Sequence, residues 1–279
     1  MKISGFTIVR NAVKFNYPVI ASIRSILPVC DEFIVNVGDS EDGTLELIRT
    51  IDSPKIRIIQ NKWDMGIGSE VLSQQTNLAL KECTGDWAFY LQSDEVIHEA
   101  DLPLLRSWMR YYLNKKDVDV LRFWWFHFYG SFWRYRIDFG WYQKQDRIIR
   151  NDRQIESHGD AFSFRRVDGK PLRARQTYCY LYHYGWVNSN EAMQKRWVNS
   201  SAMGFMDKDK NNSPEDGYGD LDRFPAYWGT HPAVMKEIVD QHQLSREDLR
   251  RIQRQSWWNP LYWLRLRFKT WRRDRGRVN

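Results

Sequence analysis

The chain has 279 residues, 42% hydrophobic and 28% charged, a composition that excludes intrinsic disorder and supplies ample material for a core. Three scattered cysteines, Cys30, Cys83 and Cys179, exclude a disulfide framework and a paired-cysteine metal site; a reducing compartment fits them. No apolar stretch approaches the ~20 residues of a membrane-spanning helix, and the opening Met1-Lys2-Ile3 does not read as a signal peptide.

Strand-like and helix-like segments alternate through the first part of the chain. Ile3 to Val9 reads as a strand, Pro18 to Leu27 as a helix and Phe33 to Val37 as a strand. Thr44 to Ile51 follows as a helix, Ile56 to Gln60 as a strand, and Ser69 to Lys81 as a helix leading into the apolar run Trp87 to Leu91. This repetition predicts a parallel sheet with right-handed crossovers. From Val118 onward the pattern changes to aromatic, alternating runs: Val120 to Tyr129, Trp133 to Tyr142, Arg147 to Arg150, Ala161 to Arg166 and Tyr178 to Tyr184. These read as mixed strands laid beside the first sheet, in which alternation puts rings on both a core face and a groove face. Asn211 to Asp222 reads as a surface loop and Pro232 to Gln241 as a helix.

The net charge of +7 belongs to the end of the chain. From Arg246 to Asn279 there are eleven Arg and Lys against Glu247, Asp248 and Asp274, so the residues before them sum to about −1. Trp257, Trp258, Tyr262, Trp263, Phe268 and Trp271 are interleaved with Arg265, Arg267, Lys269, Arg272 and Arg273. A cationic segment rich in Trp and Leu suits an anionic membrane interface; nucleic acid binding and plain packing on the preceding domain are its competing readings.

Two strands run into polar clusters at their carboxyl ends, the edge where open α/β sheets bind ligands. After Phe33 to Val37 comes Gly38-Asp39-Ser40-Glu41-Asp42-Gly43-Thr44, in which Asp39 can accept hydrogen bonds from a ribose or base while Ser40, Gly43 and Thr44 cap the next helix. After Trp87 to Leu91 comes Gln92-Ser93-Asp94-Glu95, placed either to hold a divalent cation or to cap a following helix. Gly66-Ile67-Gly68 lacks the third glycine of a dinucleotide loop, and there is no Walker A loop. Arg147 and Arg150 default to surface charge, with contact to a diphosphate as the alternative; His127, His158 and His231 have no short metal spacing.

On Ser4 to Asn11 (Ser-Gly-Phe-Thr-Ile-Val-Arg-Asn), Asp31 to Thr44, and Thr84-Gly85-Asp86-Trp87 leading to Gln92-Ser93-Asp94-Glu95, the chain resembles glycosyltransferases of the GT-A fold, close to the family 2 enzymes. The resemblance covers about the first 130 residues, and the stretches around His127, Asp160 and His183 are similar to a bacterial branch of that family. It implies an α/β, Rossmann-like fold with a mostly parallel central sheet and flanking helices, to which the composition adds a basic aromatic helical tail. In that frame residues 1–242 form the catalytic domain, 1–117 its nucleotide half and 118–242 its acceptor half, with 243–279 as the tail.

By the same resemblance Thr7, Val9 and Arg10 line the nucleotide pocket with Asp39, and Gln92 and Ser93 meet the donor. Asp94 takes the last position of the family's DxD motif, and His183 is the candidate second ligand for Mn²⁺ or Mg²⁺. The first motif position is Gln92, not Asp, so the site owns one carboxylate and the donor's phosphates must complete the shell. Asp160 is the implied general base and Glu156 the fallback; His231 is a residue of the acceptor side or of a capping turn. The implied activity is inverting transfer of a sugar from a nucleoside diphosphate, UDP foremost, to a hydroxyl of a cell-envelope glycan or lipid-linked acceptor. The enzyme would be cytoplasmic, with 256–279 on the inner face of the membrane. The alternatives are a nucleotide-sugar-binding protein with little transferase activity and a nucleic-acid-binding protein using the tail.

Overall fold

The computed structural model describes residues 1–136, 143–202 and 224–242, together with residues 204, 218 and 221. Its first four strands are β1 (Ile3–Val9), β2 (Glu32–Val37), β3 (Ile56–Gln60) and β4 (Trp87–Tyr90). They lie in the order β3-β2-β1-β4 with every pair parallel. Helices α1 (Val19–Ile26), α2 (Thr44–Arg49) and α3 (Glu70–Lys81) make the crossovers. Burial on both sheet faces explains why β1, β2 and β4 read as near-continuous apolar runs, while the edge strand β3 leaves Arg57 and Gln60 exposed. Trp87 and Phe89 of β4 enter one core cluster while Ala88 and Tyr90 enter the other, the period-2 split of a strand between two layers.

The sheet continues as β5 (Glu95–Ile97), β6 (Val120–Tyr129), β8 (Lys144–Arg150) and β11 (Ala174–Trp186), with the two-residue β7 (Tyr135–Arg136) beside β6. Strand β8 runs antiparallel between β4 and β6, β11 is parallel to β6, and β5 returns antiparallel to β11. The nine-stranded sheet is thus parallel in its first half and mixed in its second. A hairpin of β9 (Ile155–His158) and β10 (Ser163–Arg166) sits over α3, where Asn77 Nδ2 donates to Ser157 O at 2.9 Å and Ser157 N donates back to Asn77 Oδ1 at 2.7 Å.

Three helices complete the described residues: α4 (Leu102–Tyr112), α5 (Asn190–Ala202) and α6 (Lys236–Asp240). Sequence periodicity marked only the last, where a 3-10 turn, Ala233–Met235, precedes α6. Helix α4 buries Leu102, Leu105 and Met109 against the first core. Carbonyls at and just beyond its C-terminus are gathered by Arg150, which donates to Tyr112 O, Leu113 O and Lys115 O at 2.8 to 2.9 Å. Arg150 is therefore a helix-end clamp rather than surface charge. Many of the aromatic residues pack a third cluster, in which Phe128 and Tyr184 stack at 4.9 Å with Tyr182 and Tyr227 around them. Apart from residues 218 and 221, the Asn211 to Asp222 segment lies outside the described residues, as do residues 137–142 of the expected strand and the tail from 243 onward. Among the described residues no helix is long and apolar enough to cross a membrane.

Candidate active site

The carboxyl ends of β1, β2 and β4 form one edge, as the sequence pattern required. Thr7 and Val9 are both buried, and Thr7 Oγ1 donates to Leu91 O at 2.7 Å. Their side chains are buried in the fully buried β1. Arg10 emerges from the end of β1, and its Nε donates to Asp39 Oδ1 at 3.1 Å. Burial opposes the charge on Asp39, but the Trp63 N–H and the Arg10 guanidinium outweigh it and hold the carboxyl below its ordinary value.

The cluster after β2 is not a free solvated turn. Ser40 Oγ accepts from Asn11 N at 3.0 Å, Thr44 Oγ1 from Ala12 N at 2.7 Å, and Asp42 Oδ2 from Lys14 N at 2.6 Å. These bonds fix the loop after β1, where buried Asn11 takes a left-handed φ of 54°. Capping of α2 falls to Gly43, left-handed at φ 78°, and to Asp42, whose Oδ1 accepts from Thr44 N; Ser40 and Thr44 are committed to the loop.

Gln92, Ser93 and Asp94, all half-buried, form the turn between β4 and β5. Neither Asp94 nor Glu95 caps a helix; Glu95 enters β5 and is fully buried. The antiparallel β5–β11 pairing sets Glu95 opposite His183, and Tyr184 N donates to Asp94 O at 2.9 Å. Asp94 Oδ2 consequently lies 3.5 Å from His183 Nε2. His183 and, beyond it, Arg196 outweigh the burial of Asp94 and keep its carboxyl below the ordinary value. Arg196 of α5 is buried, donates to Phe15 O and Gly185 O, and stacks 4.1 Å from the Tyr17 ring centroid.

The space between Asp94 and His183 depends on Gly185. A Cβ there would stand 2.4 Å from Asp94 Oδ2 and 2.8 Å from His183 Nε2. A carboxylate oxygen and an imidazole nitrogen converging on a kept space suit Mn²⁺ or Mg²⁺, with further oxygens from a bound diphosphate. Among the described residues no group of three or more His, Cys, Asp or Glu is placed to hold a metal ion by itself. The pair therefore fits a cation that shares its shell with substrate.

Asp160 lies in the β9–β10 loop between Gly159 (φ 60°) and Ala161 (φ 58°), half-buried. Burial pushes its carboxyl up, against the Phe162 N–H that donates to its Oδ1. This loop is tied to the Asp94 turn through Arg147, which is buried and pairs with Glu95, correcting the surface-charge expectation. Arg147 Nη1 also donates to Phe162 O at 3.1 Å, and Gln92 Nε2 lies 3.5 Å from Ala161 O. Glu156, the fallback base, is engaged by Arg165 Nε at 2.9 Å on the outside of the hairpin. His231 accepts or donates at 2.8 Å with Tyr184 Oη, and burial depresses its pKa to about 4. Sequence reading missed the roles of Arg147, Gly185 and Arg196 and the pairing of His127 with His183, because each depends on partners distant in the chain that only the fold makes neighbours.

The sequence pattern described as Glycosyl transferase family 2 matches residues 6–170. No curated protein matches the chain. Similar solved structures include S. aureus TarS 1–349 in complex with UDP, 17% identical with a TM-score of 0.44, over 78% of this chain and 74% of that one. The same fragment in complex with UDP-GlcNAc is 15% identical at a TM-score of 0.43, over 78% and 75%. Glucosyl-3-phosphoglycerate synthase from Mycobacterium tuberculosis, in complex with Mn²⁺, UDP and phosphoglyceric acid, is 20% identical at a TM-score of 0.32, over 44% and 43%.

Proposed function

The chain belongs to glycosyl transferase family 2, and from that premise we propose that it moves a sugar, with inversion, from a UDP-linked donor to a hydroxyl of a cell-envelope glycan or lipid-linked acceptor. One observation carries the reading: Asp94 and His183 converge at 3.5 Å on the ligand-binding edge of the sheet, on a space kept open by Gly185. Asp39, held anionic by Arg10, accepts hydrogen bonds from the nucleoside. Gln92 and Ser93, in the same turn as Asp94, face the donor.

Asp94 and His183 would hold a divalent cation, which when bound would supply positive charge to offset that of the diphosphate leaving group. The acceptor oxygen bonds to the anomeric carbon as the bond to the diphosphate oxygen breaks, and the acceptor's proton passes to Asp160. Burial raises the Asp160 pKa toward the operating pH, where a carboxylate is a stronger base. The Arg147 and Glu95 pair keeps the Asp160 loop and the Asp94 turn in one frame.

Residues 1–242 act as the catalytic unit, with 1–117 serving the donor and 118–242 the acceptor. Residues 256–279, basic and rich in Trp, hold the enzyme against an anionic membrane surface on the cytoplasmic side. Co-sedimentation with anionic vesicles, lost on deleting 256–279, tests this part; retention of full binding refutes it.

The test of the activity is release of nucleoside diphosphate from UDP-sugars, with and without Mn²⁺, by the full chain and by Asp94→Ala. Mn²⁺-dependent release that Asp94→Ala abolishes is the expected result. Binding of UDP-sugar without release leaves a sugar-nucleotide-binding protein instead, and equal release by Asp94→Ala overturns the role given to Asp94.

A further inference from the structure

Two buried histidines stand back to back behind the acidic turn. His127 on β6 and His183 on β11 are register partners in the parallel β6–β11 ladder, 4% and 7% exposed. Their Nδ1 atoms are 3.2 Å apart, so in the hydrogen bond between them one ring donates and the other accepts. A neutral imidazole carries one proton, and its position on His183 decides what Asp94 meets at 3.5 Å. When His183 Nδ1 donates to His127, its Nε2 presents a bare lone pair toward Asp94. When His127 donates instead, His183 carries its proton on Nε2, hydrogen-bonds to Asp94 and has nothing to offer a cation. Trp125 packs against both rings, with centroids 4.1 Å from His127 and 5.0 Å from His183, and keeps the two facing each other.

We propose that His127 is the positioning residue of the cation site: its Nδ1 accepts the Nδ1 proton of His183, selecting the tautomer whose Nε2 lone pair faces Asp94. The inference rests on the reading of His183 as a ligand and adds the residue that makes it one. Partners on the second nitrogen of a liganding imidazole are worth about 10–100-fold in metal affinity. The aromatic run around His127 gains a second use, since Trp125 holds the pair while its neighbours Phe126 and Phe128 pack a core cluster.

The test is titration of Mn²⁺ into the full chain with UDP, at one fixed pH, reading free Mn²⁺ by electron paramagnetic resonance. His183→Ala weakens binding, His127→Phe weakens it about 10–100-fold, and His127→Asn, whose amide oxygen accepts the same proton, recovers most of the loss. Wild-type affinity in His127→Phe, beside a weakened His183→Ala, overturns the positioning role and leaves the ligand reading standing. Wild-type affinity in His183→Ala overturns the ligand reading itself. His127→Asn no better than His127→Phe also overturns the proposal. Nitrogen NMR of the unmutated, histidine-labelled chain with Mg²⁺ and UDP gives the same answer without substitutions: Nδ1 protonated on His183 and bare on His127 is expected, and the reverse overturns it.

Discussion

Arg147 donates Nε and Nη2 to the two carboxylate oxygens of Glu95, each at 2.7 Å, and neither side chain is exposed at all. The same Glu95 Oε2 accepts from Gln92 N at 3.0 Å, so the pair braces the turn that carries Asp94. Burial opposes the charge on Arg147, but Glu95 outweighs it and raises the guanidinium pKa. Removing one partner of such a pair strands the other, uncompensated, in the interior. Glu95→Ala should therefore lower the unfolding free energy by about 3–5 kcal/mol, read by urea denaturation. A loss under about 1 kcal/mol would show that water or a neighbouring group already satisfies Arg147.

Gly185→Ala separates function from stability at a single methyl group. The added Cβ meets the ends of two side chains, Asp94 and His183, and displaces the half-buried Asp94 first, since Trp125 and His127 hold the His183 ring. Turnover should fall about 100-fold or more, the scale of losing one preorganised transition-state contact, while Tm shifts by only a few degrees. Unchanged turnover in a folded Gly185→Ala protein would mean that the space between Asp94 and His183 is not used.

The pH profile of kcat/KM reports on Asp160. A base must be deprotonated to act, and burial raises this carboxyl, so activity should drop as pH falls through a value above the ordinary Asp pKa of about 3.9. Asp160→Asn should remove most of the activity and leave UDP affinity in place. If Asp160→Asn keeps both the rate and the acidic limb, another group takes the proton.

Stability against pH tests Glu32, whose carboxylate stands at the opposite end of β2 from Asp39. Burial opposes its ionisation, but Ser4 Oγ and Thr84, through N and Oγ1, donate to it and lower its pKa to about 2. The depressed folded value means the stabilisation is present above the unfolded pKa of about 4.3 and is lost as pH falls to about 2. Glu32→Gln should therefore lower Tm at neutral pH, with the gap to wild type closing across that acid window. A gap independent of pH would assign the loss to packing.

The first half of the sheet was legible because its signals are local. Runs such as Phe33 to Val37 and Trp87 to Leu91 are almost wholly apolar over a strand's length, and the helices between the strands repeat at helical spacing. Helix α4 was missed although Leu102, Leu105 and Met109 recur at helical spacing, since Trp108, Tyr111 and Tyr112 spread apolar character around its circumference. Asp39 stands at the strand end and pairs there with Arg10, a contact no local pattern predicts, whereas the side chains of Thr7 and Val9 are buried. A side chain's face is set by which layers cover the strand, and both faces of β1 are covered.

What the sequence determined by itself is the alternation that builds a parallel sheet and the placing of Asp39 and Asp94 at its carboxyl edge, because hydrophobic period and turn chemistry act over a few residues. Only the tertiary structure decided their partners. Strand β5 folds back on β11 to bring His183 to Asp94, β11 lies along β6 to bring His127 behind it, and β8 inserts beside β4 to bury Arg147 against Glu95. Pairing between distant strands is settled by register and by the need to satisfy buried charge, and neither is written in the spacing of residues along one segment.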